Sequence, residues 1–343
     1  MRSGRMAEKG DIVTETANLR KSAMNSLKYI LASEPKDKVL IIYDNECKDI
    51  AGAFEESAKE LGLNPMTYRI SEEQRPLMDV PGDLKERLSE HSIIINTFKS
   101  LANETPFRIK LTDLEMTSGA RVGHGPGITK EMMTEGPMNV DYRELQNIAF
   151  SFMEILHGVE KFHITTEKGT DLEIYLDGRE FETDVLIEKG SMGNLPAGEV
   201  WAAPVETKAS GILVVDGTIG GNIGHVKSEL TVEIRDGRVV SMRSMDAELL
   251  KDVDRLLSID EYAKTIGELG IGLNKKARLT GNMLEDEKAA RTAHLAFGNN
   301  LDMPGGQNPS DMHLDMLFKE PTMEITYLDG SKRVVMVDGE LQL

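Results

Sequence analysis

The period of the apolar positions changes near the middle of this chain of 343 residues. In the first half, short apolar runs such as KVLIIYD (38–44) and SIIINTF (92–98) alternate with segments such as CKDIAGAFEESAKELGL (47–63). Continuous runs rich in Ile and Val predict buried strands, and apolar residues spaced three or four apart predict amphipathic helices. This alternation predicts a parallel sheet with helices on its faces, and therefore an α/β domain.

Further elements complete the predicted N-terminal domain. Residues 14–32, 83–90 and 142–159 have helical periodicity, and PMTYRI (65–70) has the composition of a strand. The last helix ends at Gly158, and directly after it the helical spacing of apolar residues gives way to alternation of apolar and polar residues. Since the chain is long for one hydrophobic core, we place a domain boundary there, with domains at 1–159 and 160–343.

The second half is predicted to be mainly antiparallel β, in an α+β domain. Apolar and polar residues alternate in 161–185, 228–244 and 322–341, and Lys-Gly or Asp-Gly pairs divide these segments in the manner of hairpin turns. Two segments with helical periodicity, 247–258 and 284–293, interrupt the strands.

A candidate metal site begins with His313 and Asp315 in MHLDMLF (312–318). On a strand, residues two apart project from the same face, so the imidazole and the carboxylate would point the same way. An imidazole and a carboxylate held on one strand are typical ligands of a divalent metal ion.

Three more potential ligands stand in short apolar segments. Glu268 lies in IGELGIGLN (266–274) and His294 in TAHLAFGNN (292–300), while Glu199 follows a Pro-Ala-Gly turn. Each has an ordinary alternative, either an exposed strand carboxylate or a core histidine. The hypothesis of a metal site therefore depends on the joint pattern.

The composition of the chain limits its possible partners, metal ligands and location. The net charge of −18 disfavours binding to a phosphate backbone, so we expect no nucleic-acid partner. Cys47 is the one cysteine, which excludes a thiolate zinc site within the chain and leaves His, Asp and Glu as ligands. No apolar run is long enough to span a membrane and no signal peptide is recognisable, so the expected location is cytoplasmic.

Four segments, taken in order, resemble one known family. NLPAGEV (194–200), IGELGIGLN (266–274), LEDEKAARTAHLAFGNN (284–300) and HLDML (313–317) are similar to motifs of the thermophilic-type metallo-aminopeptidases, the family of aminopeptidase T and aminopeptidase S. The resemblance is specific over about 190–320. It implies a Rossmann-like N-terminal domain, a β-rich catalytic domain and a homodimer.

The resemblance also implies a site with two divalent ions, usually zinc or cobalt, that removes N-terminal residues from peptides. Oxygen and nitrogen ligands also suit manganese. Glu268 is our candidate for the bridging ligand, and the general base is Glu199, a metal-bound hydroxide or another carboxylate. The ligands carried over from the family motifs are Glu199, Glu268, His294, His313 and Asp315.

One segment departs from the family pattern. Family members have a tyrosine shortly after the HLAFG-type histidine, whereas GNNLDMPGGQNPS (298–310) has none. Altered or lost peptidase activity is therefore one expectation. The alternative is a mononuclear Fe(II) dioxygenase of the dihydroxypyridine-cleaving type, with His294, His313 and Asp315 as ligands. A metal that only stabilises the β domain, or a decayed site, is the third hypothesis.

Two residues are weaker candidates for substrate contact. His124 lies in ARVGHGPGITKEMM (120–133), where glycines before a helix could form an anion-binding loop or an ordinary turn. Asn308, with Ser310, lies in the segment that stands in place of the family tyrosine. The expected substrate is a peptide or another small molecule.

Overall fold

The computed structural model describes residues 9–343, so the first eight residues of the predicted N-terminal domain lie outside the described residues. The elements up to residue 156, in chain order, are α1 (Lys9–Asn25), β1 (Lys38–Tyr43), α2 (Lys48–Glu60), β2 (Asn64–Arg69), α3 (Gly82–Leu88), β3 (Ile93–Thr97), α4 (Thr105–Ser118), β4 (Arg121–His124), α5 (Lys130–Thr134) and α6 (Tyr142–Leu156). A π-helical turn over Ser26–Ile30 extends α1.

Strands dominate the remainder. They are β5 (Val159–Thr165), β6 (Asp171–Tyr175), β7 (Glu182–Thr183), β8 (Met192–Asn194), β9 (Glu199–Ala202), β10 (Ala209–Val215), β11 (Thr218–Ile219), β12 (Gly224–His225), β13 (Leu230–Arg235), β14 (Arg238–Ser244), α7 (Ala247–Leu256), β15 (Ile266–Gly272), α8 (Met283–Asp286), β16 (Thr292–Gly298), β17 (His313–Lys319), β18 (Thr322–Tyr327), β19 (Lys332–Val337) and β20 (Glu340–Leu341).

The chain divides into two compact units. Unit 1 extends to Arg143 and includes Asp184–Ala197, and unit 2 comprises Glu144–Thr183 and Gly198–Leu343. This division differs from the predicted single boundary at residue 159. Strand β8 returns to pair in parallel with β4, so its segment belongs to unit 1. Most of α6 belongs to unit 2, where the Tyr327 hydroxyl donates a hydrogen bond to the carbonyl of Ile155 over 2.8 Å.

Unit 1 has the predicted parallel sheet. Its five strands lie in the order β2-β1-β3-β4-β8, and every neighbouring pair is parallel. Strand β1 buries four successive apolar side chains and β3 is buried throughout, as expected of strands covered on both faces. The strand β4 was not predicted. It opens on Arg121, whose buried guanidinium donates to the carbonyls of Leu31 and Ala32 and pairs with Asp37 at 2.6 Å.

Unit 2 contains two antiparallel sheets. The first has eight strands in the order β14-β13-β10-β6-β5-β18-β19-β20. The second, called sheet C below, has seven strands in the order β12-β11-β17-β16-β15-β9-β7. Strands β15 and β16 are buried over their whole length, so sheet C is covered on both faces at its centre. The predicted fold class is confirmed.

One predicted helix is wrong over most of its length. The periodicity of 284–293 predicts a helix, but α8 has only four residues. The chain then continues in turns, in which the N–H groups of Lys288 and Ala289 donate to the carbonyls of Glu285 and Asp286. Asn274 and Ala289 form an isolated parallel bridge, and β16 begins at Thr292.

No helix within the described part of the chain combines the length and the apolar character that a membrane crossing requires.

Candidate metal centre

The register of sheet C places the five predicted ligands on one face. Directly opposed residues of antiparallel strands share a face, and so do residues two apart on one strand. The five side chains therefore come from four neighbouring strands without any loop having to position them. The pairs that establish this are Asp315↔Ala296, His313↔Gly298, Glu268↔Ala296, Gly270↔His294 and Gly272↔Glu199.

A β-bulge at Gly267 sets the orientation of Glu268. Ile266 lies opposite Phe297, yet Glu268 lies opposite Ala296, so Gly267 is an extra residue in β15. A bulge of this kind re-aims the side chains that follow it. A Cβ atom at Gly267 would lie 2.7 Å from the carbonyl oxygen of Gly298, which explains the glycine at this position.

Glu268 contacts both histidines with different oxygens. Its Oε2 lies 3.1 Å from Nε2 of His313, and its Oε1 lies 3.4 Å from Nε2 of His294. Nε2 of His313 is also 3.1 Å from Oδ1 of Asp315, and Nε2 of His294 is 3.6 Å from Oε2 of Glu199. The side chains thus form two clusters that share Glu268.

A hydrogen bond to the main chain fixes the orientation of the His313 ring. Its Nδ1 lies 2.8 Å from the carbonyl oxygen of Asn299, which accepts the Nδ1–H hydrogen. This leaves Nε2, the nitrogen that faces the carboxylates, as the ligand atom. His294 differs, because its buried Nδ1 has no hydrogen-bond partner within residues 9–343, and its Nε2 alone faces charged groups.

Small residues at the centre of the face make room for the imidazole of His294. A Cβ atom on Gly270, directly across from His294, would lie 2.1 Å from both Cε1 and Nε2 of the ring. Only glycine lacks that atom, so the GELGIG segment needs this glycine for a steric reason. Ala296 occupies the position between Asp315 and Glu268 and is fully buried.

The carboxylates and imidazoles hold one another in their charged forms in the absence of an ion. Burial alone would raise the pKa of Glu268, but hydrogen bonds from His294 and His313 outweigh it and lower that pKa well below its usual range. Burial lowers the pKa of His294, yet the carboxylates of Glu268 and Glu199 raise it to about 9. The pKa of His313 is likewise raised and that of Asp315 lowered, each against the effect of burial.

The donor set fits a divalent ion. In each of two groups, Glu199/Glu268/His294 and Glu268/His313/Asp315, one ligand atom per residue lies within 4.8 Å of the others. Oxygen and nitrogen donors without thiolate suit zinc, cobalt or manganese. Within the described residues, the set His294/His313/Asp315 does not form such a group, and both groups found include Glu268.

Lys288, which lies against this face, was not predicted from the sequence. Its side chain is fully buried, and its ammonium pairs with Oε1 of Glu199 and, at 2.7 Å, with Oε1 of Glu287. The lysine falls in the segment predicted to be helical, where it would be an ordinary polar position. Glu182 was also missed. It lies opposite Trp201, which in turn lies opposite Gly270, so the register adds another carboxylate to the same face.

The segment without tyrosine is held by its own side chains. Nδ2 of Asn308 donates to the carbonyls of Gly298 and Tyr262 over 2.7 and 3.0 Å, and the Ser310 hydroxyl donates to Asp260 over 2.8 Å. The Asn308 side chain therefore braces the loop that carries the Asn299 carbonyl. Its contact with a substrate stays a prediction.

His124 lies in unit 1, at the end of β4. Its Nδ1 is 3.3 Å from Nδ2 of Asn96, which also donates to the buried carboxyl of Glu115 over 3.1 Å. Burial and then the guanidinium of Arg108 lower the pKa of His124 to about 4, so the ring is neutral at physiological pH. Its predicted role in substrate contact stays a prediction.

Comparison with known proteins gives a family match and structural matches over nearly the whole chain. A family model described as thermophilic metalloprotease (M29) matches residues 132–341. Comparison with curated protein sequences finds no match.

The two solved structures agree with the chain over nearly its full length. The 2,5-dihydroxypyridine dioxygenase of Pseudomonas putida is 19% identical, with a TM-score of 0.73, over 95% of this chain and 97% of the other. Wild-type AmpT of Thermus thermophilus is 18% identical, with a TM-score of 0.71, over 96% of this chain and all of the other. Since the two identities are low, these matches show a shared fold.

Proposed function

The chain belongs to the thermophilic metalloprotease family, and from this membership we propose that it is a metal-dependent aminopeptidase that removes N-terminal residues from peptides. The observation that carries the proposal is the pair of carboxylate–imidazole clusters that share Glu268 on one face of sheet C. Family membership alone would fit a chain that had lost its ligands. Here all five predicted ligand side chains face the same way.

The cluster of Glu268, His313 and Asp315 is the most complete position for a divalent ion. Its three ligand atoms come from adjacent or next-adjacent strands, and Asn299 fixes the tautomer of His313. Bound in this cluster, zinc, cobalt or manganese would polarise the scissile carbonyl and lower the pKa of a bound water. The sequence predicted two ions bridged by Glu268. This carboxylate does belong to both clusters, but a buried ammonium lies beside Glu199 in the second one.

The surrounding residues prepare the cluster for that chemistry. The strands β15, β16 and β17 hold the ligands, with Glu268 and His294 buried and the edge formed by His313 and Asp315 open to solvent. Glu199 was predicted to be a ligand or the general base. Its carboxylate is engaged in an ion pair with the buried ammonium of Lys288.

Cleavage of peptides with free and blocked N-termini tests the proposal. The protein, purified without chelator and loaded with Zn²⁺ or Co²⁺, is assayed on amino-acid p-nitroanilides and on matched N-acetylated substrates. We expect cleavage of the free-amine substrates alone, and none by the His313→Ala variant, which lacks an imidazole ligand. Equal cleavage of acetylated substrates, or unchanged activity of the variant, contradicts the proposal.

The dioxygenase alternative has one observation in its favour, the absence of tyrosine from residues 299–312. Its ligand set of His294, His313 and Asp315, however, does not gather within the described residues, whereas Glu268 belongs to both groups that do. Elemental analysis separates the two functions. One Fe per chain with cleavage of dihydroxypyridine establishes the alternative, and Zn, Co or Mn with peptide cleavage establishes the aminopeptidase.

We also propose a cytoplasmic homodimer that acts on peptides without nucleic-acid or membrane partners. The net charge of −18 supports the absence of nucleic acid. Light scattering coupled to size-exclusion chromatography tests the dimer, because a mass of one chain would contradict it.

A further inference from the structure

A buried lysine ammonium lies against one of the two candidate ion positions. The side chain of Lys288 has no exposure to solvent, and its Nζ pairs with Glu199 and with Glu287. An ammonium that is removed from water must be compensated by opposite charge, and two carboxylates supply that charge here. Lys288 is therefore a fixed cation beside Glu199.

The main chain holds Lys288 in this place. The Asn274 N–H donates to the Lys288 carbonyl over 2.8 Å, and the Ala290 N–H donates to the Asn274 carbonyl over 3.1 Å. A Cβ atom on Gly272, which lies opposite Glu199, would be 2.1 Å from the carbonyl oxygen of Ala289. The segment thus crosses directly over the strand beside Glu199, and the lysine does not reach the site from a distance.

We infer that the Lys288 ammonium takes the place of a second metal ion at Glu199, so that this chain binds a single divalent ion, at Glu268, His313 and Asp315. The inference rests on the proposed function in one respect, that a protein of this family binds a metal ion; it does not require peptide cleavage. A divalent ion beside Glu199 would face a like charge in a medium of low dielectric constant, with twice the repulsion of a unit pair. Because Lys288 is enclosed, its charge cannot retreat into water to relieve that repulsion.

The other cluster lacks such a cation. Within residues 9–343, the ion pairs of Glu268 and Asp315 are formed with the imidazoles of His294 and His313. Imidazoles become ligands when an ion binds, whereas an ammonium group remains a competing charge. The two clusters therefore differ in the cation that accompanies the carboxylates, although both contain side chains that can bind a metal ion.

Titration of the full-length, metal-free protein with Co²⁺ tests the inference. The endpoint is followed by visible absorption, and the ion count is checked by elemental analysis after gel filtration. We expect one Co²⁺ per chain for the wild type and two for Lys288→Met, which keeps the length of the side chain and removes its charge. An endpoint of two ions for the wild type, or of one for Lys288→Met, overturns the inference.

Lys275→Met is the matched control. Lys275 follows the same bridge residue, Asn274, but its side chain is 73% exposed and its partner Glu144 is 3.8 Å away. We expect one ion per chain in this variant. Two ions would show that loss of any nearby positive charge admits a second ion, which overturns the specific role of Lys288.

A second variant keeps the inference testable if Lys288→Met does not fold. Glu199→Gln should still bind one Co²⁺, with at most about a tenfold change in affinity, because Glu199 is not a ligand of that ion. Loss of the ion in Glu199→Gln overturns the inference. One bound ion without peptide cleavage would contradict the proposed function alone, and binding of no ion would contradict both.

Discussion

Each unit of the protein buries a glutamate near a histidine, and the two carboxyl groups ionise in opposite ways. Glu115 of unit 1 is fully buried on α4, and Glu268 of unit 2 is 5% exposed on β15. Burial raises the pKa of Glu115 to about 8, against a single lowering hydrogen bond from Asn96. For Glu268 the same effect of burial is overcome, and its pKa falls below the usual range.

The opposite pKa shifts of Glu115 and Glu268 are explained by the groups that contact each carboxyl. The amide of Asn96 is neutral and the ring of His124 beyond it is kept neutral by burial, so the neighbours of Glu115 that the structure describes do not compensate a negative charge. Two imidazoles at 3.1 and 3.4 Å compensate Glu268. Burial alone neutralises a carboxyl group, whereas burial among imidazoles preserves charges that a divalent ion can replace. Of the two buried clusters, only the one in unit 2 has the electrostatics of a metal site.

The largest effect is expected from removing the negative charge of Glu268. Glu268→Gln should lower kcat/KM for peptide substrates by about a thousandfold or more, because it removes a ligand shared by both clusters. It should also remove the stabilisation by bound metal, which is about 4 kcal/mol at an ion concentration a thousand times Kd. Steady-state kinetics and thermal unfolding with and without Zn²⁺ measure the two effects.

Glu115→Gln is the matched control in unit 1. The substitution replaces a carboxyl that is already protonated with a neutral amide of similar shape, so metal affinity and kcat/KM should stay at the wild-type values. Should Glu115→Gln weaken metal binding as strongly as Glu268→Gln does, the contrast between the two clusters is wrong.

Two glycines provide the next comparison, with an effect of intermediate size. Gly270→Ala places a methyl group where the ring of His294 lies, at 2.1 Å, and should lower kcat/KM about a hundredfold by displacing that ring. Gly52→Ala lies within α2, and a Cβ atom there has no neighbour within 4 Å. This control should leave kinetics unchanged and stabilise the protein by about 0.5–1 kcal/mol.

Equal kinetics for Gly270→Ala and the wild type would show that the position of His294 is unimportant for the reaction. A crystal structure of Gly270→Ala would check the steric explanation of the GELGIG motif separately, because a ring of His294 in its original place would refute it.

Much of this arrangement follows from local features of the sequence. The period of the apolar residues predicts the parallel sheet of unit 1 and most strands of the eight-stranded sheet of unit 2, and the spacing of His313 and Asp315 predicts their common face. The family resemblance, which is confirmed, adds Glu199 from about 70 residues upstream of Glu268. These features depend on local spacing or on short motifs.

Features that depend on contacts distant in sequence were not predictable in this way. Residues 284–293 have helical periodicity, but the bridge between Asn274 and Ala289 ends the helix after its first turn. Lys288 resembles any surface lysine until the fold places its ammonium beside Glu199, 89 positions away. The bulge at Gly267 also depends on the register with β16.

The smallest expected effect, about tenfold for each pH unit, distinguishes the two clusters by their protons. In the metal-free protein the pKa of His294 is raised to about 9, so its ring is an imidazolium at pH 7 and must lose a proton to bind an ion. In Lys288→Met, where His294 faces the second ion, the apparent affinity for that ion should therefore rise by up to about tenfold per pH unit between about pH 7 and 9 and level off above it. Calorimetric titration in buffers of different ionisation enthalpy measures the released protons, and an affinity independent of pH in this range would contradict a metal-binding role for the ring.

The same groups determine how the stability of the metal-free protein depends on pH. The folded-state pKa of His294, about 9, exceeds its ordinary value of 6.5, so its stabilisation is complete below pH 6.5 and is lost as the pH rises through 9. The pKa of Glu115 is raised from 4.5 to about 8, so the contribution of this carboxyl to the free energy of unfolding decreases as the pH rises from 4.5 to 8. Glu115→Gln should remove the part of this decline that Glu115 causes, most clearly between pH 4.5 and 6.5 where His294 does not contribute, and leave the pH dependence of metal affinity intact. If the variant changes both, the two buried clusters are coupled, and the neutral cluster of unit 1 cannot be treated as independent of the metal site.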